Sequence, residues 1–193
     1  MKGPLYERLL LYRVRMKKDP EAFGKIYDLY AGRIYRFVFF KVPSEEEAQD
    51  VTADVFLKAW QYLIDESGKD VRYLGALLYS IARNRVIDLY RELAHQSLQP
   101  LADEAEETIP DDRRLMEQAE ASIDVGLLNA HLRSLKDEYR EVLIMRYLDE
   151  MSPGEIAGTL GKPAGNVRVL LHRAMNALKK HVGTQADGTT ESH

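Results

Sequence analysis

The feature that most constrains this chain is a pair of helix signals separated by a single glycine, in the stretch Met151 to His181, MSPGEIAGTLGKPAGNVRVLLHRAMNALKKH. Ser152 and Glu155 have capping-box spacing: the hydroxyl accepts the Glu155 N–H, the carboxylate returns a bond to the Ser152 N–H, and Pro153 suits the first helical position. Ile156, Ala157 and Leu160 give that first helix one apolar stripe, and Gly161 supplies the residue that tolerates a positive φ in a tight turn. Pro163 opens a second helix whose apolar positions Val167, Leu170, Leu171, Ala174 and Leu178 recur at intervals of three and four.

Ala157, Gly161, Val167 and Leu170 fall at relative positions one, five, eleven and fourteen, the register of a helix-turn-helix. The other side of the second helix carries Asn166, Arg168, Val169, His172 and Arg173, and from Ala164 to Ala186 there are four Lys or Arg and no carboxylate. Asn and Arg are the side chains that pair bidentately with adenine and guanine edges in a major groove; Lys179 and Lys180 suit phosphate. An ordinary helical hairpin with a solvated basic side would share the periodicity, but not the four-point register together with one-sided charge.

The formal net charge of −4 looks unsuited to DNA until it is divided along the chain. Residues 1–96 hold 16 basic and 14 acidic groups, residues 97–124 hold 2 and 9, and residues 125–193 hold 9 and 8. The acidity is thus concentrated in the middle, where Pro100 and Pro110 and the lack of a periodic apolar pattern give linker composition. With no cysteine there is neither a disulfide framework nor a thiolate metal site, and a reducing, cytoplasmic compartment is expected. The apolar run at Leu9-Leu10-Leu11-Tyr12 is too short for a signal sequence or a membrane span.

Ahead of that acidic segment the pattern is helical throughout. Residues 5–18 are mixed apolar and basic and predict a short helix. Asp19 and Pro20 start a strongly apolar helix to about Lys41, whose aromatic stripe reads as interior packing. Ser44 to Glu47 is a second capping box, opening a helix to Leu63 with Ala48, Val51, Val55, Phe56, Ala59 and Trp60 on one side and Asp50 and Asp54 among the acidic residues of the other. After a polar loop, Asp65–Asp70, a long helix over Tyr73 to Leu93 sets Arg83, Asn84, Arg85, Asp88 and Arg91 opposite its apolar side, a second candidate nucleic-acid surface. Leu127 to Leu135 and Glu138 to Leu148 add two more helices, and the tail from Gly183 is expected to be disordered. The fold class is all-α: two small helical domains, 5–96 and 125–182, joined by an acidic linker at 97–124 and followed by a tail at 183–193.

The motifs DPEAF…YDLYAGRIYRF, SEEEAQDVTADVFLKAW, LLYSIARNRVIDLYREL and EYREVLIMRYLDEMSPGEIAGTLGKPAGNVRVLLHRAMNALK occur in that order on either side of the acidic segment. In this the chain resembles bacterial RNA polymerase sigma factors of the extracytoplasmic-function group of the sigma-70 family. The resemblance implies that regions 2 and 4 bind core RNA polymerase, through the clamp helices of its largest subunit and the flap of the second largest, together with promoter DNA and an anti-sigma protein. It assigns Asp50, Asp54, Phe56 and Trp60 to polymerase docking, and Arg83, Asn84, Asp88 and Arg91 to the minus-10 element. To the minus-35 element it assigns Asn166, Arg168, Val169, His172, Arg173 and Lys179. It implies no cofactor, no metal, no catalysis and no membrane insertion. The chain departs from the family pattern at Leu77-Leu78, where a Trp-Leu pair is usual, and at Lys162, Ala164 and Asn166, where the family favours an apolar residue, valine and threonine.

Three other functions share parts of this pattern. A receiver-type regulator would need alternating strands in residues 1–96, and none is legible. An enzyme has only the isolated Glu92-x-x-His95, half of a di-iron pattern, and no P-loop or nucleophile elbow. A protein-binding helical adaptor leaves the two basic faces unexplained.

Overall fold

The computed structural model describes residues 4–65, 71, 73–97 and 120–187, and among these there are helices and turns but no strand. Eight α-helices follow in order: α1 (Pro4–Lys17), α2 (Pro20–Phe39), α3 (Glu45–Ile64), α4 (Leu74–Ser97), α5 (Glu120–Arg133), α6 (Asp137–Leu143), α7 (Pro153–Leu160) and α8 (Ala164–Asp187). A π-helical turn, Ile144–Leu148, extends α6.

The helix starts form as their sequences dictate. Asp19 caps α2 by accepting from the Glu21 and Ala22 N–H groups at 3.0 and 3.1 Å, and the Arg13 Nε donates to the same carboxylate at 2.8 Å, fastening the end of α1 to the start of α2. Ser44 and Glu47 complete a capping box on α3, as Ser152 and Glu155 do on α7. Gly161 ends α7 at φ 63°, the left-handed geometry that an L side chain adopts only at a cost.

Helices α1 to α4 form the first domain. Leu10 and Val14 of α1, Ile26, Ile34 and Phe37 of α2, Val55, Ala59 and Leu63 of α3 and Leu78 and Ala82 of α4 are all buried in its core. Helices α5 to α8 form the second around Leu132, Val142, Ile144, Met145, Ile156, Val167 and Ala174. The sequence pattern places the element types correctly and misses some ends. Helix α5 begins at Glu120, inside the stretch expected to be linker, and α8 continues to Asp187, through residues expected to belong to a disordered tail. The remaining linker, 98–119, the loop residues 66–70 and the tail 188–193 lie outside the described residues.

The two domains pack against each other, and charged side chains bridge the contact. Lys41, only 4% exposed, sits at its centre: its Nζ is 3.0 Å from Glu141 Oε1 and 2.9 Å from Asp137 Oδ1. Arg83 Nε of α4 donates to the same Glu141 oxygen at 2.8 Å. A second cluster joins Arg36 and Tyr79 to Asp149, with Arg36 Nη2 2.7 Å from Oδ1 and the Tyr79 hydroxyl 2.6 Å from Oδ2. Arg133 and Arg140 of the second domain donate to the carbonyls of Phe40, Val42 and Pro43, the turn that follows α2. Main-chain acceptors of that turn are therefore satisfied from the other domain.

Candidate nucleic-acid interface

The helix-turn-helix is built by its own short-range sequence. The α7 cap holds Glu155 below the usual carboxylate range, first through the Ser152 hydroxyl and then through the Ser152 N–H, so the charged form is the one the cap stabilises. Val167 and Ala174 lie wholly buried beneath α8. On its opposite side Asn166, Arg168, Val169, His172, Arg173 and Lys179 are all exposed. Val169 is 50% exposed, an apolar group on a basic surface of the kind that meets a thymine methyl. His172 and Asn176 are 3.4 Å apart, one turn along the same side. The domain that carries this face leaves it open to solvent.

The second candidate surface is divided. Asn84 and Arg91 are exposed, and among the described residues Arg91 pairs with Asp88, at 3.5 Å. Arg83, expected on the same outward side, is turned into the domain contact, its Nη2 buried without a hydrogen-bond partner while Nε holds Glu141. Arg85 bonds Asp54 of α3 at 2.7 Å and so ties the two helices together. Residues 66–70, expected from the sequence to form a polar loop, lie outside the described residues.

The third group is split between packing and surface. Phe56 is 4% exposed, with its ring 6.4 Å from Phe23 and 4.7 Å from Tyr27, and Trp60 stands edge-on to Phe23 at 5.1 Å. Asp50 is exposed, and Asp54 is shared with Arg85. Leu57 of α3 is 55% exposed, and Tyr27 of α2, 46% exposed, lines an open groove of about 500 Å³ with Tyr35, Gln49 and Ala53. Tyr27, expected inside the interior aromatic stripe of α2, stands partly outside it, and Leu57 lies beside the apolar stripe of α3.

Sequence reading also missed Lys41, Glu141 and Asp149. One signal was available: Glu141 shares a helical side with Met145 and Leu148, a carboxylate on an apolar stripe. Burial pushes the Asp149 carboxyl up, against the opposing pull of Tyr79 and Arg36, and pushes the Tyr79 hydroxyl up as well. No group of three or more His, Asp or Glu able to hold a metal ion occurs among the described residues.

Two family descriptions match the chain: Sigma-70 region 2 over residues 26–96 and Sigma-70, region 4 over residues 127–178. It is 30% identical over 168 residues to the ECF RNA polymerase sigma factor BldN of Streptomyces coelicolor, a match covering 84% of this chain and 61% of that protein's length. With the ECF RNA polymerase sigma factor SigW of Bacillus subtilis the identity is 29% over 185 residues, covering 91% of this chain and 98% of that one. Among solved structures, CnrH in complex with the cytosolic domain of CnrY shares the fold with a TM-score of 0.69 at 21% identity, over 93% of this chain and 98% of that chain. The sigma factor RpoE in complex with the anti-sigma factor NepR from Bartonella quintana does so with a TM-score of 0.59 at 21% identity, over 83% and 96%.

Proposed function

We infer from one premise, that this chain belongs to the sigma-70 family of RNA polymerase sigma factors and to its extracytoplasmic-function group, how its two helical domains divide the work of promoter recognition. As a sigma factor it is a regulatory initiation factor that binds core RNA polymerase and directs it to promoters. Helix α8 reads the minus-35 element through Asn166, Arg168, Val169, His172 and Arg173, with Lys179 on phosphate. Arg83, Asn84, Asp88 and Arg91 of α4 meet the minus-10 element, where strand opening and extrusion of a base cost a few kcal/mol that protein contacts must offset. Asp50 and Asp54, with the Phe56 and Trp60 cluster behind them, dock on the clamp helices of the largest subunit, and the second domain meets the flap of the second largest. An anti-sigma protein restrains the factor, a reading supported by RpoE from Bartonella quintana, which shares this fold and is bound to the anti-sigma factor NepR. A cytoplasmic location suits such partners, and no helix among the described residues is long and apolar enough to cross a membrane.

The observation that carries this reading is the contrast across α8, with Val167 and Ala174 sealed beneath it and the groove-reading side chains all outward. The domain contact adds a condition. With Arg83 held by Glu141 and one of its donors buried unpaired, the minus-10 surface is complete only after the domains separate. An unpaired buried donor costs about 1–3 kcal/mol, which separation recovers. The test is in vitro transcription with core polymerase and a promoter library: the chain is expected to select a defined set of start sites, and transcription no different from that of core alone would refute the reading.

A further inference from the structure

The outward side of α1 carries Leu5, Leu9, Tyr12 and Met16, which are 81, 54, 58 and 64% exposed. Their spacing of four, three and four is that of a coiled-coil seam, and it lies on the side opposite the buried Leu10, Leu11 and Val14 that fasten α1 to α2 and α3. Helix α1 also lies outside the residues that match region 2, 26–96, so the reading above assigns it nothing. With the seam taken as positions d, a, d and a, the flanking g positions are Arg8 and Arg15 and the flanking e positions are Tyr6 and Arg13.

We propose that this seam docks an acidic amphipathic helix of a partner protein. The commitment rests on charge and width. Three of four flanking positions are arginine, of which Arg13 is paired with Asp19; at the g positions, Arg8 and Arg15, a second copy of the chain would set cation against cation, whereas a helix with glutamates beside its own apolar seam would complement them. A helix lying on lipid buries a broad apolar face; this strip is only roughly 60° wide at 3.6 residues per turn, and the rest of the circumference belongs to the flanks or the core. From Leu5 to Met16 the strip runs about 16 Å at 1.5 Å per residue, three turns of a partner. The first domain already holds α1 helical, so only the partner is ordered on binding.

The full chain is titrated, by fluorescence anisotropy, into a labelled three-heptad peptide with leucine at a and d and glutamate at e and g. Saturable binding is expected. The charge-reversed variant Arg8→Glu/Arg15→Glu should lose about tenfold or more in affinity and should instead take the same peptide with lysine at e and g. Leu9→Ser/Met16→Ser should abolish binding to both peptides with an unchanged circular dichroism spectrum, since neither side chain belongs to the core. No binding by the parent chain, indifference to charge reversal, or preference for phosphatidylglycerol vesicles over the acidic peptide would each overturn the proposal.

Discussion

Two helices of this chain present an arginine-and-asparagine side, and they stand in opposite conditions. On α8, Arg168 and Arg173 are exposed and their helix is fixed from behind by Val167 and Ala174. On α4, Asn84 and Arg91 are exposed but Arg83 is spent on Glu141 and Arg85 on Asp54. The same periodicity therefore yields one basic surface open to solvent and another partly occupied by the chain itself. The difference comes from what faces each helix. Helix α8 has solvent there, while α4 has carboxylates of α6 and α3.

The sharpest way to break this comparison is to remove the carboxylate that occupies α4. Glu141→Ala leaves Lys41 buried beside one exposed partner, Asp137, and deprives Arg83 of its acceptor. Losing one member of a buried pair costs about 3–5 kcal/mol while the site stays closed. Separation of the domains solvates both cations, so the loss is capped by the free energy of closure and the domains should open. The native chain contains no cysteine, so labels placed through Gln61→Cys and Asn176→Cys report the change without interference. Energy transfer between them is expected to fall in the Glu141→Ala background; an unchanged signal would mean that closure does not depend on this cluster.

Next in size is the loss on α8. Arg168→Ala or Arg173→Ala should weaken minus-35 binding by the holoenzyme by about 1–3 kcal/mol where the arginine makes a bidentate base contact. Combining either with Glu141→Ala separates the two surfaces. Opening should aid contacts made by α4 and restore nothing lost from α8, and the reverse outcome would exchange their roles. Competition with short duplexes of the upstream element measures this directly.

How far these surfaces are legible in sequence follows the same division. Capping boxes, the Gly161 turn and the α8 stripe depend on residues within a turn or two of each other, so Ser152, Glu155 and Val167 announce themselves. The closure does not. Lys41 and Glu141 are separated by 100 positions, Arg36 and Asp149 by 113, and no local pattern distinguishes an arginine facing water from one facing another domain's carboxylate. Phe56 and Trp60 read correctly as apolar, but which aromatic edge remains outside depends on how Phe23 and Tyr27 pack against them.

A smaller effect tests the turn that orients α8. Gly161→Ala puts a side chain at φ 63°, with open space around it, so the backbone conformation alone sets the cost at about 1–2 kcal/mol. Gly165→Ala, also in open space but without a positive φ, removes a poor helix former and should stabilise by up to about 1 kcal/mol. Chemical denaturation should shift in opposite directions for the two; equal shifts would show that the turn geometry is not what Gly161 supplies.

The smallest expected effect concerns two carboxylates of the second domain that respond oppositely to acid. Glu155 is held below its ordinary range by Ser152, so the α7 cap is fully present above that range and is lost as pH falls through the lowered value. Asp149 is raised by burial, against the lowering pull of Tyr79 and Arg36; with closure supplying that burial, the closed chain keeps a proton at a pH where the open chain has released it. Closure is therefore strongest below the ordinary Asp value of about 3.9 and weakens as pH rises through the raised one. Energy transfer between the two labels, followed upward from mild acid, should decline across that window in the parent and stay flat in Asp149→Asn, which keeps an acceptor for Tyr79 and has nothing to titrate. Asp149→Ala should open the domains further than Asp149→Asn at every pH, because it strands the Tyr79 hydroxyl and the Arg36 guanidinium together. If the two variants behaved alike, the cluster would contribute through packing alone, and Glu141 rather than Asp149 would be the domain-contact carboxylate whose charge holds the chain closed.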